Sequence, residues 1–184
     1  MNNVNSANEL IKEFEDIIVE ESNLIKDESI VALKHVATGK YLSSAENLRY
    51  TTGSNFQLVF VGSPVPDPNS LWKIKFGKEL ATYNNTSIGL QHVKSSNKFL
   101  GIYDNCKSPS ANHTEVSCNN LNHVCCIKKS RDNNKVEFLR SHDIQFTIGN
   151  DTFQEVVCHN ERLGGNDEWC IELIKQHIWT IDIK

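Results

Sequence analysis

Cysteines and histidines are the residues of this 184-residue chain best suited to nucleophilic or metal chemistry, and there are six and seven of them. A cysteine nucleophile needs a nearby histidine that takes its proton. Cys118 with His123, and Cys158 with His159, form such pairs in the sequence. However, Cys118 and Cys158 begin two similar segments, and duplication is typical of a packing position rather than of a nucleophile. We therefore predict that the protein is not an enzyme and has no catalytic residue.

A cluster of possible zinc ligands lies between residues 106 and 126. It consists of Cys106, His113, Cys118, His123, Cys125 and Cys126. The Cys-x-x-Cys spacing of structural zinc sites does not occur among them. Cys125 and Cys126 are adjacent, and adjacent residues of a strand point to opposite faces. We therefore predict no metal site and no cofactor.

Two similar segments place polar side chains beside an aromatic ring. Such a combination suits a sugar, whose apolar face stacks on a ring while its hydroxyls form hydrogen bonds. A histidine precedes the ring in each segment, and it would contact the same ligand. The candidate ligand-binding residues are His35, Thr38, Lys40, Tyr41, His92, Asn97, Lys98 and Phe99. The alternative is structural: the two rings fill the core, and the two histidines bond to nearby backbone groups.

The charge distribution limits the class of partner. The formal net charge is −4, which provides no general attraction to nucleic acid. Residues 1–29 hold eight acids and two lysines, a net charge of −6, so the other residues carry +2. No apolar run approaches the roughly 18 residues that a membrane-spanning helix requires. We predict neither a nucleic-acid nor a membrane partner.

The acidic leader also bears on location. A secretory signal has a basic start and a long apolar middle, and residues 1–29 have neither. We therefore predict a cytoplasmic protein. Because the cytosol is reducing, its cysteines are expected to be free thiols.

The first predicted element is an amphipathic helix over residues 7–21. Ser6 and Glu9 have the spacing of a capping box. An apolar stripe with helical spacing follows, formed by Leu10, Ile11, Phe14, Ile17 and Ile18. Two interpretations stay open: the helix packs on its own domain, or it binds a partner.

After residue 29 the pattern changes to short alternating strands that recur three times. Residues 33–42 resemble residues 90–100, with one inserted residue, and a degraded third copy begins near Val136. Each copy has a middle strand, predicted at 57–59, 114–116 and 154–156. Each copy ends in a closing segment, predicted at 72–74, 125–127 and 169–171.

Three units of about four short strands can close into a six-stranded barrel capped by three hairpins. Closure removes the exposed strand edges that would invite aggregation. We therefore predict an all-β protein, a β-trefoil with pseudo-threefold symmetry, plus one N-terminal amphipathic helix. The predicted parts are the acidic helix and linker at 1–28, the trefoil at 29–176 and a strand-like tail at 177–184.

The repeated motifs are similar to those of the MIR domain, named for protein mannosyltransferases, inositol trisphosphate receptors and ryanodine receptors. The similarity lies in "LKHVATGKYL", "LWKI", "LQHVKSSNKFL", "TEVSC" and "EWCIEL", and it covers most of residues 30–174. Two departures stand out. Cys125 occupies a position where the family usually has tryptophan, and the third repeat lacks the Thr-Gly turn.

The resemblance implies a β-trefoil and a noncatalytic recognition module that binds a glycan or a mannosylated protein through its lobe loops. The inositol-phosphate receptors form their pocket with a separate helical domain, which this chain lacks. The competing hypothesis is a protein–protein adaptor without a small ligand. In that case the lobes or the acidic helix would bind a partner protein.

Overall fold

A computed structural model of the chain describes residues 9, 11–13, 15, 24–76, 88–95, 97–110, 113–120, 128–130, 136–160 and 163–176. Within these ranges it contains eleven β-strands and one 3₁₀ turn at Gly165–Asp167. The strands are β1 (Ile30–His35), β2 (Leu42–Arg49), β3 (Gln57–Val61), β4 (Trp72–Lys75), β5 (Gly89–His92), β6 (Phe99–Lys107), β7 (Thr114–Asn119), β8 (Lys128–Ser130), β9 (Val136–Ile148), β10 (Asp151–His159) and β11 (Trp169–Lys175). The prediction of an all-β protein is confirmed.

The N-terminal helix is described only at five positions. Residues 9, 11–13 and 15 of the predicted 7–21 helix are helical, and the Ile11 side chain is 56% exposed. The rest of this helix and the tail at 177–184 lie outside the described residues. Among the residues that are described, no helix is both long and apolar enough to cross a membrane.

The strands form one antiparallel sheet in the order β11-β1-β4-β5-β6-β7-β3-β10-β9-β8, with β2 paired to β3. Strand β1 lies between β4 and β11, so the beginning and the end of the sheet-forming chain are neighbours. The Gln176 Nε2 atom donates a hydrogen bond of 3.0 Å to the Leu24 carbonyl and joins the same two ends.

Strands β3, β7 and β10 each pair with the other two, so their pairings form a closed ring. These strands contain the three segments that the sequence predicts as repeated middle strands. The same register recurs at each junction, where the facing residues are Gln57 and Cys118, Thr114 and Cys158, and Gln154 and Val61.

Two of the three predicted closing segments make the same contact with the core. The Trp72 Nε1 atom donates to the Leu42 carbonyl at 2.9 Å, and the Trp169 Nε1 atom donates to the Leu139 carbonyl at 3.0 Å. Both carbonyls belong to a leucine that follows an aromatic residue. The third predicted position, Cys125, lies outside the described residues.

Strand β8 pairs in the manner of the opening strands β1 and β5. Its Lys128 faces Phe138, as Gln91 faces Phe99 and Lys34 faces Tyr41. This strand lies earlier in the chain than Val136, near which the sequence analysis placed the start of its third copy.

Candidate functional site

The two candidate histidines are buried and have matching partners. His35 and His92 are both 0% exposed. The Nδ1 atom of each lies within hydrogen-bonding distance of a hydroxyl three residues later. The distances are 3.0 Å from His35 to Thr38 Oγ1 and 3.1 Å from His92 to Ser95 Oγ. The Nε2 atoms lie 3.1 Å from the Asn166 carbonyl and 3.0 Å from the Asn69 carbonyl.

These contacts define which nitrogen of each imidazole ring carries a proton. A carbonyl oxygen only accepts hydrogen bonds, so Nε2 carries the proton and donates. In His92 the other nitrogen, Nδ1, accepts from the Ser95 amide at 3.2 Å. Burial lowers the pKa of His92 and keeps the ring neutral.

Each histidine also packs on a closing tryptophan. The ring centroids are 4.9 Å apart for His35 and Trp169, and 5.0 Å apart for His92 and Trp72. Each histidine therefore connects its own turn to the loop that precedes a closing strand. Both nitrogens of each ring are engaged inside the protein, which favours the structural interpretation of the two histidines.

Tyr41 is also part of the packing. It is 4% exposed, and its hydroxyl donates to Glu172 Oε2 at 2.6 Å. This hydrogen bond raises the pKa of Tyr41. Lys34 pairs with Glu172 at 3.5 Å and lies 5.5 Å from the centre of the Tyr41 ring. The tyrosine, which immediately precedes β2, thus contacts both Lys34 of β1 and Glu172 of β11.

The remaining candidates differ in accessibility. Asn97 is exposed, while Thr38 and Lys40 are partly exposed. Lys98 is partly buried, and its Nζ atom donates to Gln57 Oε1 at 2.6 Å. Phe99 is also partly buried at the start of β6. Thr38 and Lys40 lie between β1 and β2, Asn97 and Lys98 lie between β5 and β6, and Phe99 begins β6.

A groove that the sequence analysis missed lies between the β2–β3 and β9–β10 hairpins. Its volume is about 390 Å³, and Lys40 is the one predicted residue among those lining it. Because β3 pairs with β10, Phe60 and Phe153 approach each other, with ring centroids 4.9 Å apart. Gln145, Asp151 and Thr152 also line the groove. Only the pairing of strands some 90 residues apart creates it, and no local motif signals that pairing.

Two buried glutamates hold hairpin turns and were also missed. Glu115 and Glu155 are both 0% exposed. Glu115 accepts hydrogen bonds from the Ser54 amide, at 3.0 Å, and from the Ser54 hydroxyl. Glu155 accepts from the Ser110 amide at 3.1 Å. Each carboxylate therefore fixes the turn of a neighbouring hairpin, and a buried carboxylate requires such partners.

An ion-paired cluster connects β9, β10 and the 3₁₀ turn. Arg140 contacts both Asp167 oxygens, with Nε at 2.7 Å and Nη2 at 3.1 Å, and His159 Nε2 lies 2.8 Å from Oδ1. The Gly164 amide donates to the same carboxylate at 2.7 Å. Burial opposes ionisation of Asp167, but the hydrogen bonds from Arg140, Gly164 and His159 outweigh it and lower its pKa to about 2.

Of the four described cysteines, Cys118 and Cys158 are buried as packing groups, whereas Cys106 is partly exposed and Cys170 is exposed. Cys118 is 1% exposed, and burial raises the pKa of its thiol to about 12, which suppresses the reactive thiolate. Burial also raises the pKa of Cys106. Across the described part of the chain, no group of three or more His, Cys, Asp or Glu side chains is arranged to hold a metal ion. Cys125 and Cys126 lie outside it.

No protein-family model matches the sequence, and no curated protein matches it. Several solved structures do match this chain. The SDF2-like protein from Arabidopsis thaliana matches with a TM-score of 0.59 and 25% identity, over 80% of this chain and 94% of that chain. A Caenorhabditis elegans protein of unknown function matches with a TM-score of 0.63 and 18% identity, over 83% of this chain and 98% of that one.

A third match is the S. cerevisiae protein O-mannosyltransferase Pmt1-Pmt2 complex bound to the sugar donor. Its TM-score is 0.63 at 21% identity, over 80% of this chain but 25% of that chain. The SDF2-like protein and the mannosyltransferase have MIR domains, so these matches support a MIR-type domain here, as the motifs predicted.

Proposed function

We propose that this protein is a noncatalytic recognition module of MIR type that binds a glycan or a glycosylated protein. The observation that carries the proposal is the structural likeness to the SDF2-like protein and to a quarter of the mannosyltransferase chain. A fold alone does not define a function. The proposal therefore also requires side chains on the lobes that are free to contact a sugar.

The proposed architecture is a β-trefoil with pseudo-threefold symmetry. The identical register at the three junctions of β3, β7 and β10 supports it, because three equivalent hairpins meeting around an axis would produce that pattern. The matching contacts of Trp72 and Trp169 support it as well.

Within the predicted site, we divide the residues by role. Thr38, Lys40 and Asn97 are accessible and are proposed to contact the ligand. His35, Tyr41, His92, Lys98 and Phe99 are proposed to hold the two turns in place through the contacts described above. Removing an accessible side chain should weaken binding without loss of the fold.

The experiment is a glycan array with the full chain, followed by amide chemical-shift mapping with the best glycan. We expect mannose-containing oligosaccharides to bind and to shift amides in residues 38–41 or 97–99. Lys40→Ala and Asn97→Ala should reduce binding, whereas Lys107→Ala, an exposed lysine away from both turns, should not. Absence of binding to every glycan at millimolar concentration would contradict the proposal.

A protein–protein adaptor is the second candidate. The observation in its favour is Ile11, a large apolar side chain that is 56% exposed on the helical part of the acidic leader. The matching test is deletion of residues 1–23. Asp27 and Glu28 must stay, because Asp27 accepts a bond from the Phe76 amide at 2.8 Å and Glu28 pairs with Lys73 at 3.1 Å.

Affinity capture with the full chain and with the deletion variant distinguishes the two candidates. If the adaptor hypothesis holds, the deletion abolishes capture of partner proteins while the circular dichroism spectrum of the β-sheet is unchanged. Unchanged capture would contradict it. The cytoplasmic location is likewise a proposal, which fluorescence microscopy of a tagged chain tests directly.

A further inference from the structure

We infer that the groove between the β2–β3 and β9–β10 hairpins, the Phe60–Phe153 groove, binds one uncharged pyranose ring of the glycan. This inference rests on the proposed glycan recognition and names its site and the chemistry of its ligand. It differs from the two predicted turns, because only Lys40 belongs to both the groove and the set of predicted residues.

The rings of the groove provide an apolar surface. Phe60 and Phe153 are both partly exposed and lie edge to face at an interplanar angle of 62°. Phe146 backs Phe153, with ring centroids 6.0 Å apart, and fixes its position. The C–H face of a pyranose packs on such aromatic surfaces, which provide a large contact area at low entropic cost.

The rim provides groups that hydrogen-bond to hydroxyls. Lys40 donates, the Asp151 carboxylate accepts, and the Gln145 amide and Thr152 hydroxyl do both. Asp151, Thr152 and Gln145 are exposed, so their polar ends are accessible to a ligand. A sugar hydroxyl both donates and accepts, and it therefore matches this mixed set better than a purely accepting phosphate does.

The charge of the groove argues against an ionic ligand. One cation, Lys40, and one anion, Asp151, are the ionisable residues among those lining it, so their formal charges cancel. A site for phosphate or sulfate would concentrate cationic side chains. The volume of about 390 Å³ lies within the range of roughly 300–1,000 Å³ that is usual for small-ligand sites. The groove therefore suits a neutral sugar ring.

The test uses the full chain and two probes, methyl α-mannopyranoside and a mannose trisaccharide, in calorimetric titrations at millimolar concentration. Asp151→Ala and Phe153→Ala should each weaken binding at least about fivefold. Asp143→Ala is the matched control, since Asp143 is an exposed acid of β9 that does not line the groove. The affinity of this variant for the two probes should equal that of the wild-type chain. Thermal unfolding verifies the fold of Phe153→Ala, and Asp151→Ala keeps the test decisive if that variant is unstable.

The outcomes separate the site from the function. Loss of binding in the two groove variants with a normal control supports the inference. Normal binding in both variants, or loss only in Asn97→Ala, overturns the groove as the site but leaves glycan recognition intact. Binding restricted to phosphorylated or sulfated glycans overturns the neutral ligand. No binding to any glycan overturns both the inference and the proposed function.

Discussion

His35 and His92 make matching contacts in two different turns of this protein. His35 and His92 each use one nitrogen for a hydroxyl three residues later and the other for a backbone carbonyl far along the chain. A neutral imidazole suits this task because it has one donor and one acceptor on opposite sides of a compact ring. The residues that follow β8, at 131–135, lie outside the described part of the chain.

The prediction at the scale of single residues concerns the ionisation of Asp167 and its effect on stability. Its folded-state pKa of about 2 lies below the ordinary value of 3.8, so its ionised form stabilises the fold. This stabilisation is fully present above about pH 4 and is lost as the pH falls towards 2. Asp167→Asn should lower the free energy of unfolding at pH 7 by about 1–2 kcal/mol, after allowance for solvent screening.

Urea denaturation at pH 7, 4, 3 and 2 measures this effect. The wild-type chain and the exposed-site control Asp143→Asn should both lose the Asp167 contribution below pH 4, whereas Asp167→Asn should lack that part of the pH dependence. The same slope below pH 4 in Asp167→Asn and in the control would show that the Arg140–Asp167 pair does not stabilise the fold.

At the scale of elements, the hairpins are fixed by contacts between units. Glu115 of β7 accepts from the Ser54 amide in the turn that joins β2 to β3. The same turn requires Gly53, whose φ is +69° and where a Cβ atom would collide with the Glu115 carboxylate. A glycine and a buried acid from a distant strand thus define one turn together.

The two tryptophan closing strands give the second prediction. Trp72 is 0% exposed, and Trp72→Phe would remove the hydrogen bond to the buried Leu42 carbonyl and leave a small cavity. We expect a loss of about 2–3 kcal/mol in the free energy of unfolding. Trp169→Phe should cost less, about 1–2 kcal/mol, because Trp169 is only partly buried and its truncation leaves less of a cavity. Urea denaturation of both variants measures the difference, and equal costs would contradict it.

At the scale of the whole molecule, the described strands pair with partners far away in the sequence. Strand β3 pairs with β2, β7 and β10, and β1 pairs with β4 and β11. Stability is therefore shared between distant parts of the chain. The protein is expected to unfold in a single cooperative step.

A fragment tests this expectation. Residues 24–120 lack β8 to β11, so β1, β3 and β7 lose partners, and the fragment should remain unfolded. In the full chain, the transitions measured by far-UV circular dichroism and by tryptophan fluorescence should coincide. A dispersed amide spectrum from the fragment, or two separate transitions in the full chain, would indicate units that fold independently.

Individual strands could be predicted from sequence because each is a local alternating pattern. The predicted middle strands at 57–59, 114–116 and 154–156 lie in β3, β7 and β10, and the tryptophan segments at 72–74 and 169–171 lie in β4 and β11. Strand β8 was not predicted, because it lacks the His-Val motif found at the ends of β1 and β5.

The groove could not be predicted in the same way. The contact between Phe60 and Phe153 depends on the pairing of β3 with β10, and Asp167 meets Arg140 through a 3₁₀ turn. Neither residue pair has a short sequence signature. The accessible part of the predicted site was also indeterminate, because whether Tyr41 faces solvent or Glu172 depends on where β11 docks.

The hydrogen bond between Gln176 and Leu24 has a practical consequence. Because Leu24 and Gln176 are joined by a hydrogen bond, the sheet-forming residues between them can be inserted into an exposed loop of an unrelated protein without separating the two ends of that loop. Equally, a short linker could join the two points and new termini could be opened at a hairpin tip. The proposed glycan recognition module could then be transferred to other proteins.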